Sequence, residues 1–336
     1  MQVGALWEGL LAGISTLVLL RLGLLLVAAG VQIARGRRPR AEVGPLPRVS
    51  VVVPAYNEAR VLEGTVASLL ACEHPDVEIV LVDDGSTDGT GTLAQRLAAR
   101  HPNVRALVLG KNGGKAAALN AGIAASSGPH VVTVDADTLL APDALRRLCE
   151  ALLRPAADGG AVDAVASNVK VGNRLRWINL WQSVEYVMGL NLHRRAQAAM
   201  GCITTIPGAA CAFRRDALAD VGGYSTDTVV EDTDLTLCLL EARRRIVYEP
   251  AAIAFTESPD TVAGLFRQRT RWARGYLQCL WKHRRSFLRR DVLGWFGMPD
   301  LLYVNVLVYA LVPLSLPGLV ALLRPAGGDA FVAAAT

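Results

Sequence analysis

Short β-branched runs at residues 49–53, 78–82, 104–109 and 131–134 alternate with stretches patterned as helices, for example 63–71 and 93–100. Strands that alternate with helices predict an α/β fold, a mostly parallel, doubly wound sheet with helices on both faces. In such a sheet ligands bind beyond the carboxyl ends of the strands. The chemistry of this chain collects at those ends. The first run leads into Pro54, Ala55, Tyr56, Asn57 and Glu58, the second into Asp83 and Asp84 followed by Gly85, and the fourth into Asp135-Ala136-Asp137.

Asp135 and Asp137, one residue apart just past a strand, present hard oxygens that suit a divalent Mg²⁺ or Mn²⁺ bridging phosphates. Taken alone, the pair better fits a turn with an Asp cap on a helix near 142–149. Asp84 reads either as an acceptor for a base N–H or as half of an Asp-Gly turn. The loop 111–115, with Gly113, Gly114 and Lys115 at a helix start, suits phosphate. It lacks the spacing of a Walker loop or a dinucleotide fingerprint. Glu231, Asp232 and Asp234 precede a helical run at 235–240. They read either as ordinary acids of a first turn or as a general base that would take a hydroxyl proton. Gln268, Arg271 and Trp272 share one helix face within a basic, amphipathic stretch, 265–290, that should lie at a membrane surface.

The remainder points to a bilayer. Hydrophobic residues make up 52% of 336, and the net charge of +5 sits in clusters beside apolar runs rather than in any nucleic-acid motif. Residues 9–34 are long enough to cross a membrane. Arg21 in their middle would cost roughly 3 kcal/mol unless it snorkels or pairs with another helix. Arg35, Arg37, Arg38 and Arg40 follow, which places this side in the cytosol and the N-terminus outside. Residues 301–323, uncharged between Asp300 and Arg324, read as a second span. Residues 331–336 resemble the start of a further one. The six cysteines form neither a CxxC pair nor a zinc spacing, and most lie in apolar stretches and read as buried small hydrophobes in a reducing cytosol.

In their order and spacing, VVVPAYNE (51–58), DDGSTDGT (83–90), GKAAALNAG (114–122), DAD (135–137), PGAACAFRR (207–215), EDTDLT (231–236), YEP (248–250) and QRTRWARG (268–275) resemble family-two glycosyltransferases of the GT-A fold. The resemblance is strongest to membrane-bound synthases of the poly-β-1,6-N-acetylglucosamine, hyaluronan and cellulose type. It implies a nucleoside pocket of Pro54, Ala55, Tyr56 and Glu58, with Asp84 on the base and Lys115 nearby. It implies Asp135 on the nucleotide, Asp137 on the metal and Asp232 as catalytic base. Glu231, Gln268, Arg271 and Trp272 would hold the diphosphate and acceptor end, and the segment around Gly208 would shape the acceptor site. The expected organisation is a transmembrane helix (1–34), a basic linker (35–47), a cytosolic GT-A domain (48–258), an interfacial segment (259–292), a second span (293–324) and a short tail (325–336). Partners would be a nucleotide-sugar donor, a growing glycan or lipid-linked acceptor, the bilayer of a cell membrane and an accessory membrane subunit, with no nucleic acid. A single-addition enzyme acting on a lipid, or a silent nucleotide-sugar-binding subunit, are the alternatives. A nucleotidyltransferase is disfavoured because 54–60 contains no glycine.

Overall fold

The computed structural model describes residues 2–36, 43–156, 159–173 and 176–308. Helix α1 (Gln2–Gly36) is followed by β1 (Val49–Ala55), α2 (Leu62–Leu70), β2 (Val77–Asp83), α3 (Thr90–Arg100), β3 (Val104–Val108), α4 (Lys115–Ala125) and β4 (His130–Val134). Then come β5 (Thr138–Leu140), α5 (Ala144–Leu153), β6 (Ala164–Val171), α6 (Trp177–Glu185), α7 (His193–Ala199), β7 (Ala210–Arg214), α8 (Arg215–Asp220), α9 (Glu231–Glu241), β8 (Ile246–Thr256), α10 (Val262–Lys282) and α11 (Met298–Leu302). A π-helical turn, Tyr186–Leu192, joins α6 to α7.

The strands form one eight-stranded sheet in the order β3-β2-β1-β4-β7-β6-β8-β5. The half built from β3, β2, β1 and β4 is parallel, as the alternation predicts. The other half is mixed: β7 runs antiparallel to both β4 and β6, and β5 antiparallel to β8. Strand β8 runs parallel to β6, so six of the eight strands share one direction and only β7 and β5 oppose them: the sheet is mixed but mostly parallel. The short β5 follows β4 with no helix between, and β7 follows α6 and α7 yet runs antiparallel to β6, so helix–strand alternation does not reveal their direction.

Every residue of β1 is buried. Val51 and Val53 face a core with Leu62, Leu93, Leu145 and Leu148 from α2, α3 and α5. Val52, with Val80 and Val82 of β2, faces the opposite core with Leu119 of α4 and Leu235 of α9. A strand covered on both faces has no polar side, which is why these runs read as continuous apolar stretches.

Helix α1 contains, over Val18–Gly36, the one helix among the described residues long and apolar enough to cross a membrane. Its 35 residues span about 52 Å. Leu19, Leu20 and Val27 on it are exposed, so it is not a core helix. It packs through Leu25, Ala28 and Ala29 onto Ala196 of α7. Arg21 does find a partner on another helix: its Nη2 lies 2.7 Å from Asp300 Oδ1, and Tyr303 lies beneath the guanidinium. Asp300 is also bound by His193 Nε2 at 2.6 Å and Gln197 Nε2 at 3.1 Å. The second expected span falls largely outside the described residues, as does the tail. Helix α6 carries a feature absent from the sequence reading. Trp177, Leu180, Trp181 and Val184 stand exposed at helical spacing, continued by Val187 and Met188.

Helix α4 lies unusually close to the sheet at Gly122. A Cβ there would sit 2.4 Å from Val52 Cγ1 and 2.8 Å from Val82 Cγ2. The Gly122→Ala variant should therefore be destabilised by about 1–3 kcal/mol through overpacking. In thermal unfolding of the detergent-solubilised protein this is a midpoint about 3–10 °C lower; an unchanged midpoint would mean that α4 shifts freely away from the sheet.

Candidate active site

The ends of β1, β2 and β4 and the start of α4 enclose a cleft of about 240 Å³. Pro54, Ala55, Tyr56, Glu58, Asp84, Lys115, Asp135 and Asp137 all line it, together with Arg271 from α10. The parallel registry of β1, β2 and β4 explains the gathering. Strands aligned side by side deliver their last residues to one edge. The loops are tied by side chains: Asn57 Oδ1 accepts from the Thr87 N–H at 2.9 Å, and the Glu58 N–H donates to Thr90 Oγ1 at 2.8 Å. Asp84 is buried, and its two oxygens accept from the N–H groups of Gly113 and Gly114, each at 2.8 Å. These glycine N–H groups, read from the sequence as suited to phosphate, are thus committed to Asp84. Its carboxylate shapes the loop before α4.

Lys115, the first residue of α4, reaches across the cleft. Its Nζ lies 2.6 Å from Asp135 Oδ1 and 3.2 Å from Glu231 Oε1. Burial alone would lower the Lys115 ammonium, but Asp135 and Glu231 outweigh it and hold the group charged. Asp137 has no such partner. Its Oδ1 accepts only long hydrogen bonds, 3.3 Å, from Thr138 and Thr256, and among the described residues no lysine or arginine pairs with it. Burial, and then repulsion from Asp135, push the Asp137 carboxyl up to about 6. Burial, Asp137 and Glu257 push Glu58 up to about 7. Carboxylates crowded together and short of positive charge make a hard-oxygen site that fits a divalent cation.

A second cleft of about 220 Å³ adjoins the first and shares Lys115, Asp135, Asp137 and Arg271 with it. Gly208, Glu231, Asp232, Gln268 and Trp272 complete its lining. The structure thus brings every site residue expected from the sequence into two joined clefts. Asp232 sits in the first turn of α9, where Oδ1 accepts from the Thr233 N–H at 2.8 Å and Oδ2 from the Gly208 N–H at 3.1 Å. Burial, and then Glu231, raise its carboxyl to about 6, against the pull of Lys115. Helix α10 reaches this point because Gly275 lets it touch the residue before Glu231. A Cβ on Gly275 would fall 2.5 Å from Val230 Cγ1. Arg271 Nη1 donates to the Val229 carbonyl at 3.2 Å. Gln268 lines this cleft, and its buried Oε1 has no hydrogen-bond partner among the described residues. One face of Trp272 is covered by the Arg269 guanidinium, 4.3 Å from the ring centroid, which in turn holds Glu185 at 2.6 Å.

The sequence reading missed several lining residues. Arg194 of α7 is buried and lines the second cleft, and burial lowers its guanidinium. Its Nη1 donates to the Ser167 carbonyl at 3.4 Å, and the Tyr248 ring lies 5.8 Å away. No periodicity marks it, because the π-helical turn before α7 breaks the helical repeat. Tyr276 could have been found, since it lies four residues beyond Trp272 on the same helix face. Tyr186, Thr256 and Glu257 come from elements whose packing only the fold reveals.

Comparison with known proteins agrees with this geometry. The sequence model described as glycosyltransferase-like family 2 matches residues 47–275. The poly-β-1,6-N-acetyl-D-glucosamine synthase of Staphylococcus epidermidis is 34% identical over 227 residues, covering 68% of this chain and 54% of that protein. The enzyme of the same name from Staphylococcus aureus is 31% identical over 245 residues, covering 73% and 58%. The chain thus spans little more than half the length of these relatives. Among solved structures, a mannosyltransferase of Pyrobaculum calidifontis, in complex with GDP-Man and Mn²⁺, superposes with a TM-score of 0.64 at 25% identity, covering 92% of this chain and 91% of that one. With the matched family spanning the sheet, both clefts and most of α10, the chain belongs to the glycosyltransferase-like family 2.

Proposed function

We propose that the chain is a membrane-bound, inverting glycosyltransferase that moves a sugar from a nucleotide-diphosphate donor, UDP-N-acetylglucosamine or another UDP-hexose, to a growing polysaccharide. The observation that carries this reading is the junction of the two clefts. Asp137 and Asp232 line one cavity, and Gln268, Arg271 and Trp272 close it. The relatives' names as polymer synthases favour the sugar and the product. Helix α1 and the exposed apolar face of α6 support a bilayer location, with the catalytic domain on the cytosolic side of a cell membrane.

In this reading Pro54, Ala55, Tyr56, Glu58 and Asp84 surround the nucleoside. Asp137, with Asp135 and Glu58 beside it, would hold Mg²⁺ or Mn²⁺. Such an ion supplies Lewis-acid stabilisation of the departing diphosphate. Arg271 shares that task because it lines both clefts. Asp232 takes the proton from the acceptor hydroxyl, whose oxygen attacks the anomeric carbon as the carbon–phosphate oxygen bond breaks. A single direct displacement inverts that carbon, and no covalent sugar–enzyme bond forms. Trp272, which lines the cleft, is the surface on which the acceptor ring would stack. A second reading, single transfer from a GDP-linked hexose, has support from the similarity to the mannosyltransferase solved with GDP-Man. A panel of UDP- and GDP-sugars, with nucleoside diphosphate release followed and products sized by mass spectrometry, separates the two. A product ladder from one UDP-sugar supports polymer synthesis, a single addition from GDP-mannose supports the second reading, and release from no donor overturns both.

Asp232→Asn should lower kcat by about 10²–10⁴-fold while nucleotide binding, read by calorimetry, stays within twofold. Full activity in that variant would move the base elsewhere. In the wild type the base acts only when ionised. With its carboxyl at about 6, kcat should be full above pH 7 and fall as the pH drops through about 6. Initial rates from pH 5 to 8 check this, and a flat profile would exclude Asp232. Asp137→Ala should weaken Mn²⁺-dependent donor binding by at least about tenfold, equivalent to ~1.4 kcal/mol, and leave metal-free nucleotide binding little changed.

A further inference from the structure

Away from both clefts, Asp234, Cys238 and Glu241 stand at i, i+4 and i+7 on one face of α9. Asp232 lies two residues earlier, about 200° around the helix. The residue that meets this face is His283, which ends α10 and is buried. Its Nε2 lies 2.9 Å from Asp234 Oδ1, and its Nδ1 lies 2.9 Å from Glu241 Oε1. The ligand atoms of Asp234, Cys238 and His283 all lie within 4.8 Å of one another.

We propose that Asp234, Cys238 and His283 form a zinc site that fastens α9 to the end of α10, separate from the donor-side metal. The donor set is one oxygen, one sulfur and one nitrogen, a combination that favours Zn²⁺ over Mg²⁺ or Mn²⁺. Glu241 takes the other ring nitrogen, the carboxylate–imidazole arrangement that fixes the tautomer and orientation of a metal-binding histidine. Three such ligands around one zinc would stand about 3.3–3.8 Å apart, so only small side-chain movements are required. The surface groove beside Cys238 and His283 gives the ion a way in and leaves room for water as a fourth ligand.

The charge balances. Without metal, carboxylates accept at both ring nitrogens, so both must donate and His283 is an imidazolium. With Lys282, whose Nζ lies 2.9 Å from Asp234 Oδ2, it offsets the charges of Asp234 and Glu241. On zinc binding the Nε2–H and the Cys238 S–H bonds break, and both protons leave to solvent. The bonds to nitrogen, sulfur and oxygen form, and the two positive charges of the ion replace those of the departed protons. The net charge of the cluster is unchanged, so the ion enters without forcing Lys282 away.

The zinc site stands independently of the sugar and acceptor assigned above. The full chain, purified in detergent without an immobilised-metal step, is assayed for zinc by elemental analysis and then exchanged with Co²⁺. The expected result is about one zinc per chain and, with Co²⁺, a near-ultraviolet thiolate-to-cobalt charge-transfer band. The band should vanish in Cys238→Ser and survive in Asp137→Ala, because the donor-side carboxylates offer only oxygen. Absence of zinc together with absence of the band in the wild type would overturn the proposal. So would a band that persists in Cys238→Ser, since another cysteine would then be the ligand.

Discussion

The ammonium of Lys115 holds together a cleft that would otherwise repel itself. Glu58, Asp135, Asp137, Glu231 and Asp232 converge on two joined cavities. The lysine touches Asp135 at the end of β4 and Glu231 at the start of α9, so one cation joins the first cleft to the second. Removing one partner of such a pair leaves an uncompensated charge in a poorly solvated site, which costs far more than the pair itself contributes. The position of Lys115 is itself fixed by Asp84, whose two oxygens hold Gly113 and Gly114 and so set where α4 begins.

The mixed half of the sheet supplies what the parallel half cannot. Parallel strands carry the residues of the first cleft to one edge. The antiparallel strand β7 brings a further segment to the second cleft. The segment before it passes the start of α9, where the Gly208 N–H meets Asp232 and the Ile206 N–H meets Thr236 Oγ1 at 3.0 Å. Helix α10 then closes over the same point because Gly275 admits it against Val230. The proposed base is therefore held by its own helix, by the entry to β7 and by a glycine contact from α10.

Much of this was legible in the sequence wherever residues close in the chain act together. Asp135 with Asp137, Glu231 with Asp232, and Gln268 with Arg271 and Trp272 each lie within one turn or one loop, and each reaches the cleft. The parallel strands were legible because burial on both faces leaves unbroken apolar runs. Contacts between distant residues were not legible. Arg21 and Asp300 are 279 positions apart, and only packing of α1 against the domain pairs them. Asp84 reads as a turn residue or a base acceptor until the loop 30 residues later is seen to donate to it. The exposed stripe of α6 has the spacing of any amphipathic helix, and a helical pattern does not say whether its apolar side faces a core or stands exposed. Cys238 read as a buried hydrophobe because His283, 45 positions later, follows no zinc spacing.

The raised carboxyls of the cleft divide by what can relieve them. Glu58 and Asp137 repel one another, and neither is paired directly with a lysine or arginine among the described residues, so an arriving divalent ion would stabilise their charged forms and draw them back toward the ordinary carboxylate range. Asp232 sits differently. Its neighbours Lys115, Thr233 and Gly208 already favour the charged form, yet burial and Glu231 keep it at about 6. A base that accepts a proton from a hydroxyl works best when it is ionised at neutral pH but not strongly acidic, and a carboxyl at about 6 meets both conditions. If Lys115 swung toward the donor phosphates, Asp232 would lose an attractive charge and become more basic just as the donor settled. Charge carried in by a donor would then tune the proposed base that deprotonates the acceptor, through a single lysine that lines both clefts.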